Sequence, residues 1–384
     1  MSVKNQHFIP QVYLKHWNVN GAEQVYCYKK GNLSEAVPKN ISKILCQSHT
    51  YTIGYDDCFF IDFLPEAKKD FSNQLERILR EYSAVAYFDG KEIKDFYAAI
   101  DYLHRVDEWD FRKSSDFHLL APKKAIVARI KEIRSYILES RLDNYVEKKW
   151  SQSLNLFLQQ LNDRKDLYEN EQIDIDSAVV DEIVSTMLIF MCRNPAFDCL
   201  GVFPWIKDFL LSAFNEQNDK SEETISIVNK QLRGAWLSQL YKALYSSDTG
   251  FFVSFYSALK RRAQATIIYC PTDTGSFITS DNPAFSYIDA TKPTYNAIYF
   301  PLTPQYLLLI GNGEKYSLNK VDYKIVSKKG VINFNSIICN MAYEKIISNR
   351  SKLDDETDSG IKTPEKVSLE MALEAEPEAN LALI

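Results

Sequence analysis

The spacing of hydrophobic positions changes twice along the chain. Residues 1 to 62 alternate apolar and polar side chains, as in Val25-Tyr26-Cys27-Tyr28 before the Gly31-Asn32 turn, which predicts short strands. From about residue 65 to 260 the spacing becomes helical, with Phe71, Leu75 and Ile78 on one face. Residues 263 to 326 return to short β runs separated by turns, and a helix is predicted from about 333 to 349.

This order of elements predicts an α+β fold. Short β segments need partners to be stable, so the N- and C-terminal β regions are expected to form one small mixed or antiparallel sheet, with a large helical bundle inserted between them. The predicted domains are an N-terminal β region (1–64), a helical region (65–262), a C-terminal β region with its closing helix (263–350) and an acidic tail (351–384).

The charge is unevenly distributed. The net charge is −6, but residues from 351 onward hold nine acids and three bases, which leaves 42 of each sign (51 − 9 and 45 − 3) in residues 1 to 350. The low pI therefore does not argue against nucleic acid or a nucleotide as a partner of the body. The tail is predicted to be disordered or loosely helical, and it either masks a basic surface or recruits a protein partner.

Cysteine usage and hydropathy bear on the compartment. The seven cysteines are odd in number and scattered, and the N-terminus lacks an apolar signal region, which predicts a reduced, cytoplasmic protein. The longest apolar run, residues 183–192, has about half the length that a bilayer crossing requires. No membrane partner is expected.

Four short blocks combine polar, aromatic and proline residues. They are His7-Phe8-Ile9-Pro10 with Tyr13-Leu14 and Trp17; Phe190-Met191-Cys192-Arg193-Asn194-Pro195; Phe277-Ile278-Thr279-Ser280-Asp281-Asn282-Pro283; and Phe300-Pro301-Leu302-Thr303-Pro304 with Asn333 or Asn335. Together they resemble the prokaryotic family called domain of unknown function 4238, from which Trp17 departs where a Phe is usual and Asn194 where a Thr is usual. The resemblance brings no activity, substrate or cofactor, and loosely suggests a role in phage defence.

Four residues of these blocks are the predicted catalytic set. A neutral His7 beside a carboxylate is a common general base or metal ligand, and Asp281 follows a strand in a turn from which carboxylates often project into a site. Arg193 offers a planar fork to a phosphate, and Asn335 offers a polar orienting group. If they converge, the set suits hydrolysis of a phosphodiester or a related anionic substrate.

Each of these residues also has a structural interpretation. An Asp before Asn-Pro commonly bonds its own turn, His7 can anchor a terminal strand, and Arg193 can complement a helix dipole. Predicted substrate contacts are Tyr13, Ser280, Asn282, Lys124 and Lys131. The two lysines lie opposite an isoleucine stripe, where a solvated face is the alternative to phosphate binding.

The cofactor is open, although a divalent metal is compatible with the predicted set. Cys27, Cys46, His49 and Cys58 have the wrong spacing for zinc, and an acidic cluster at Asp56, Asp57, Asp62 and Glu66 lacks the pattern of a calcium loop. Two functions remain. One is a hydrolase, such as a metal-dependent nuclease, and the other is a non-catalytic binding or regulatory module with an aromatic-lined groove.

Overall fold

The computed structural model describes residues 5–19, 21–48, 51–55, 65–162, 172–193, 256–257, 259–261, 263–288, 296–312 and 318–353. The predicted acidic cluster at residues 56–62, Asn194-Pro195 and the tail from 354 onward lie outside these residues. Within them, the strands are β1 Asn5–His7, β2 Gln24–Lys29, β3 Asn32–Asn40, β4 Cys46–Ser48, β5 Ile53–Gly54, β6 Ala84–Phe88, β7 Lys91–Glu92, β8 Asp110–Lys113, β9 Arg134–Ser135, β10 Gln172–Asp174, β11 Ala263–Tyr269, β12 Thr279–Ser280, β13 Phe285–Ile288, β14 Asn296–Pro301, β15 Tyr306–Asn312, β16 Lys320–Ile325 and β17 Lys345–Ser348.

The α-helices of the described residues are α1 Gln11–Leu14, α2 Pro65–Glu81, α3 Phe96–Ala99, α4 Lys123–Lys131, α5 Ile137–Leu142, α6 Trp150–Asn162, α7 Ser177–Arg193 and α8 Lys328–Met341. Tighter 3₁₀ turns cover Lys15–Trp17, Ile41–Lys43 and Ile100–Glu108, and a π-helical turn covers Asp143–Glu147. No helix in the described part of the chain is both long and apolar enough to span a bilayer.

The chain divides into two compact units. Of the described residues, 51–55 and 65–142 belong to one, called here the insert unit. Residues 5–48 and those from 143 to 353 belong to the other, called the main unit. These units divide the chain at positions other than the predicted domain boundaries, which stay predictions.

The insert unit combines helices with a small sheet. Helix α2 is amphipathic, and its Phe71, Leu75 and Leu79 are buried, as the helical spacing predicts. Strands β7, β6 and β8 form an antiparallel sheet in that order. Asp89 and Gly90 join β6 to β7 with positive φ angles of 49° and 77°, the geometry of a tight hairpin turn. The helical bundle predicted for residues 65–262 is therefore not confirmed, because short strands interrupt it.

Two sheets organise the main unit. One has six strands in the order β10-β16-β11-β15-β14-β13, antiparallel except where β11 runs parallel to β16. The other has four strands in the order β12-β17-β2-β3. In it, β2 near the start of the chain pairs with β17 near residue 345, with Cys27 opposite Ile347. The predicted α+β class, with N- and C-terminal β regions in one sheet, is confirmed.

One hydrophobic cluster joins the two sheets to helix α8. Its buried members include Tyr28 of β2, Ile268 of β11, Leu307 of β15, Val331 and Ile338 of α8, and Ile346 of β17. Helix α8 begins after Ser327, whose Oγ accepts a hydrogen bond from the Gly330 backbone N–H. The prediction of a helix at 333–349 is wrong at its end, because residues 345–348 form β17 with β-branched side chains facing the core.

Candidate functional site

The N-terminal segment is tied to the turn at residues 277–280. The Tyr13 hydroxyl donates to the Pro301 carbonyl at 2.7 Å and lies 2.7 Å from the Thr279 Oγ1. Because a phenol has one hydrogen, Thr279 is the donor in the second bond. The indole Nε1 of Trp17 donates to the Phe277 carbonyl at 3.0 Å. The first and third sequence blocks therefore meet, through Tyr13 and Trp17.

An aromatic core joins the first, second and fourth blocks. The Tyr13 ring stacks on Phe300 with centroids 5.6 Å apart, and it meets Phe190 edge-on at 5.1 Å. Trp150 lies 5.6 Å from Phe190, and Trp17 lies 4.9 Å from Tyr13. All five rings are fully buried, and burial raises the pKa of Tyr13 well above its ordinary value. Tyr13, a predicted substrate contact, is thus placed in the core.

Asp281 holds the connection between α8 and β17. Its carboxylate accepts backbone N–H bonds from Tyr343, Glu344 and Lys345 at 2.9, 2.8 and 3.0 Å. Burial raises the pKa of Asp281, and these three donors oppose that shift. A carboxylate with this many backbone donors fixes the path of the chain, but these bonds are made to residues 343–345 and not to the turn of Asp281 itself.

The other polar residues of the third and fourth blocks are buried in similar bonds. Asn335 accepts from the Ile278 N–H at 3.1 Å and donates to the Ser276 carbonyl at 3.0 Å. Ser280 Oγ accepts from the Asn282 N–H at 3.1 Å and donates to the Asn282 carbonyl at 3.0 Å. The Asn282 amide donates to the Met341 carbonyl at 2.9 Å. Their predicted roles in catalysis or substrate binding stay predictions, while their observed bonds are with the protein itself.

His7 and Arg193 are linked electrostatically in a different group of charges. We call His7, Asp143, Glu147 and Arg193 the charged cluster. Arg193 ends helix α7 and is 1% exposed, and its Nη2 lies 3.5 Å from the Asp143 Oδ1. Glu147 accepts from the Gln11 and Val12 N–H groups at 3.1 and 3.4 Å, at the first turn of α1. The cluster thus joins the start of the chain to the end of α7.

The π-helical turn Asp143–Glu147 positions both carboxylates of the cluster. A π-helix widens the helical turn, and such turns are rare and occur frequently at functional sites. Here the two ends of the turn reach different partners, since Asp143 contacts Arg193 and Glu147 bonds to α1. Helix α6 begins three residues later with Trp150 of the aromatic core. The turn therefore connects the aromatic core to the charged cluster.

Electrostatics in the cluster favour a neutral imidazole. Burial lowers the pKa of His7, and the positive charge of Arg193 lowers it further. Hydrogen bonding to the backbone of Ile44 and Ser42 and the Asp143 charge oppose the shift without reversing it. His7 is only half-buried. A partly accessible imidazole that is neutral at pH 7 can accept a proton.

The pKa of Glu147 shifts upward, opposite to that of His7. Burial raises its pKa, while the Arg193 charge and the Gln11 and Val12 N–H groups favour the ionised form. The Asp143 side chain is more accessible to water, with an exposed fraction of 45%. The cluster thus offers a proton acceptor, a buried cation and one carboxylate open to water. Within the described residues, no group of three or more His, Cys, Asp or Glu side chains is placed to hold a metal ion.

The two predicted lysines lie in the insert unit. Lys124 is exposed in the first turn of α4, and Lys131 at its end forms an ion pair with Asp107 at 2.7 Å. Arg129 on the same helix pairs with Glu132 at 2.7 Å. These pairs correspond to the solvated face that was the alternative to phosphate binding. Substrate binding by Lys124 and Lys131 stays a prediction.

Sequence patterns do not single out Asp143 and Glu147. They stand among basic residues and read as part of a solvated helix face, although the structure places both beside Arg193. The available signal is their separation of four residues next to Trp150, which on an α-helical turn puts both on one side. Nothing in the sequence indicates the π-helical turn.

The main unit is thus an α+β scaffold in which four sequence blocks converge around an aromatic core and a charged cluster. A family model described as "Protein of unknown function (DUF4238)" matches residues 5–352, and the chain belongs to that family. Comparison with curated proteins and with solved structures gives no significant match.

Proposed function

We propose that this protein is a hydrolase of an anionic phosphodiester or nucleotide, with His7 as its general base. The observation that supports the proposal is the position of half-buried His7 in one cluster with buried Arg193 and partly exposed Asp143. These are the residue types that proton transfer to a base and stabilisation of negative charge require. Asp281 belongs to the scaffold in this proposal, which departs from the predicted pairing of His7 with Asp281.

The reaction proposed is attack of water on phosphorus. Neutral His7 takes a proton from the water as its oxygen forms the new P–O bond, and the bond to the leaving oxygen breaks. The leaving oxygen then receives a proton from the imidazolium or from solvent. Arg193 is buried, so it acts through its charge, which lowers the pKa of His7 and stabilises negative charge on the phosphoryl oxygens. Asp143 orients Arg193.

The direct test is an activity screen with a matched histidine control. The full chain is incubated with bis-p-nitrophenyl phosphate, single- and double-stranded DNA, RNA and cyclic nucleotides, each with and without Mg²⁺ or Mn²⁺. His7→Gln is expected to lose about 100-fold or more of the turnover, as removal of a general base does. His118→Gln changes an exposed histidine of the insert unit and is expected to keep full turnover. Equal turnover in both variants overturns the assignment of His7.

A binding or regulatory module is the second candidate. It is favoured by the bonds of Tyr13, Asp281, Asn282 and Asn335, all of which are with the protein's own groups, so that the blocks serve as structural anchors. Calorimetry with the same nucleotides and nucleic acids separates the two functions. Binding that His7→Gln weakens, without turnover in the wild type, supports the module and contradicts the hydrolase.

The proposed setting is the cytoplasm of a prokaryotic cell under phage attack. It derives from the family resemblance and the cysteine usage, with a protein partner at the tail, residues 351–384. A plaque assay on cells that express wild type, His7→Gln or a chain ending at residue 353 tests it. Protection that is lost in His7→Gln supports a role for the charged cluster, and equal plaque counts with an empty vector contradict the setting.

A further inference from the structure

The loop between β8 and α4 of the insert unit exposes apolar side chains. Seven consecutive residues, 114–120, are exposed, and among them Phe117, Leu119 and Leu120 have exposed fractions of 49%, 56% and 78%. We call residues 114–120 the tip loop. The other exposed large hydrophobic side chains of the described residues lie on separate elements: Val37, Tyr97, Leu156 and Ile325. A contiguous apolar group of this kind on a surface indicates a contact site.

The tip loop is held in shape by its own hydrogen bonds. The Asp116 side chain accepts from the His118 N–H at 2.9 Å, and its carbonyl accepts from the Leu119 N–H at 3.0 Å. Lys113 N–H donates to the Leu119 carbonyl at 2.8 Å, which closes the base of the loop. Binding therefore orders little additional chain, which reduces the entropy cost of contact.

Cations stand on both sides of the apolar tip. Arg112 and Lys113 precede it, and Lys123 and Lys124 follow it. Acids in the same stretch, residues 110–124, are Asp110, which lies 3.9 Å from Lys123, and Asp116, which is used within the loop. Four bases against two acids give this surface a net positive charge.

We infer that the tip loop binds the surface of anionic lipid membranes. Exposed apolar side chains together with a local excess of cations match an anionic lipid interface, which offers both an apolar phase and negative charge. Phe117, Leu119 and Leu120 enter the boundary between headgroups and acyl chains, while the flanking cations meet lipid phosphates. Such contact needs no spanning helix, so it is compatible with the finding that no helix of the described residues can span a bilayer.

Vesicle cosedimentation of the full chain tests this inference. Binding to vesicles of phosphatidylcholine with a quarter phosphatidylserine is expected, with much weaker binding to phosphatidylcholine alone. Leu119→Ser combined with Leu120→Ser is expected to lower partitioning about tenfold or more, since the variant lacks two leucines that enter the lipid interface. Lys123→Gln with Lys124→Gln is expected to weaken binding to the anionic vesicles and to reduce its salt dependence.

Matched controls keep the experiment decisive. Val37→Ser and Leu156→Ser each remove an exposed apolar side chain from the main unit and are expected to bind like wild type. Absence of wild-type binding to anionic vesicles, or equal binding by the Leu119/Leu120 variant, overturns the inference. A change in oligomeric mass in the Leu119/Leu120 variant, but not in the two controls, also overturns the inference. The tip loop would then bind a second copy of the chain.

Discussion

The Tyr13 hydroxyl donates to the carbonyl of Pro301 across 288 positions of sequence at 2.7 Å. Thr279 Oγ1 donates a second bond, to the Tyr13 hydroxyl oxygen. The two bonds fix helix α1 to strands β14 and β12. Tyr13 is fully buried, so a change there leaves polar groups without partners rather than exposing them to water.

Tyr13→Phe is expected to reduce the free energy of unfolding by about 1–3 kcal/mol, the cost of leaving a buried hydrogen-bond partner unsatisfied. Urea denaturation followed by far-UV circular dichroism measures it. The control is Tyr97→Phe at a largely exposed tyrosine, expected within about 0.5 kcal/mol of wild type. A Tyr13→Phe protein as stable as the control would show that the hydroxyl bonds contribute nothing.

Asp281→Asn separates a structural from a catalytic role for this residue. The substitution keeps the shape but places an amide N–H₂ against backbone donors, so we expect a loss of about 2–3 kcal/mol in unfolding free energy. Turnover per folded molecule, measured at a temperature where the variant is folded, is expected to persist. Loss of turnover with unchanged thermal stability would return Asp281 to the catalytic set.

The stability of the protein is expected to depend on His7 below neutral pH. Its folded-state pKa lies below the ordinary 6.5, so between these two values the unfolded state binds more protons than the native state. The stabilisation is therefore present above pH 6.5 and is lost as the pH falls through the folded-state pKa. Unfolding free energies of wild type and His7→Gln, compared from pH 7.5 to 5, should converge toward the acid end.

The same titration governs the proposed reaction. His7 acts as a base only when neutral, so kcat/KM is expected to fall on the acid side with an apparent pKa below 6.5. A profile whose acid limb lies above 6.5 would be inconsistent with His7 as the base.

Arg193→Met is expected to lower the unfolding free energy by about 3 kcal/mol, because it removes a buried cation that faces Asp143 and Glu147. It should also raise the pKa of His7 toward 6.5, since the Arg193 charge lowers it; histidine titration by NMR measures this. The control is Arg80→Met, which breaks an exposed pair with Glu76 and should cost less than about 1 kcal/mol. An unshifted His7 titration would contradict the electrostatic link.

The sequence predicts the architecture of the main unit better than that of the insert unit. The alternation in β2 predicts a strand that needs a partner, and β2 pairs with β17, whose residues 345–348 fall within the helix predicted from the sequence. In the insert unit, strands of two to five residues such as Lys91–Glu92 are too short to interrupt a helical pattern. Their stability comes from tertiary pairing, which periodicity does not encode.

The predicted roles of the site residues stay predictions. The structure shows that the Arg193 charge acts on His7 and that the Tyr13 ring contacts Phe190 and Phe300. Asp281 and Asn335 bond to backbone groups. In a sequence, a polar residue that bonds the backbone looks the same as one that binds substrate. Asp143 and Glu147 depend on a π-helical turn, which no pattern in the sequence indicates.

The aromatic core has a consequence for how the chain is made. Tyr13 leaves the ribosome long before its ring partner Phe300, and β2 leaves it long before its partner strand β17. Contacts of such long sequence separation form slowly. Tyr13 therefore lacks Phe300, and β2 lacks β17, until those residues are synthesised, and we expect chains that stop before residue 300 to aggregate or be degraded.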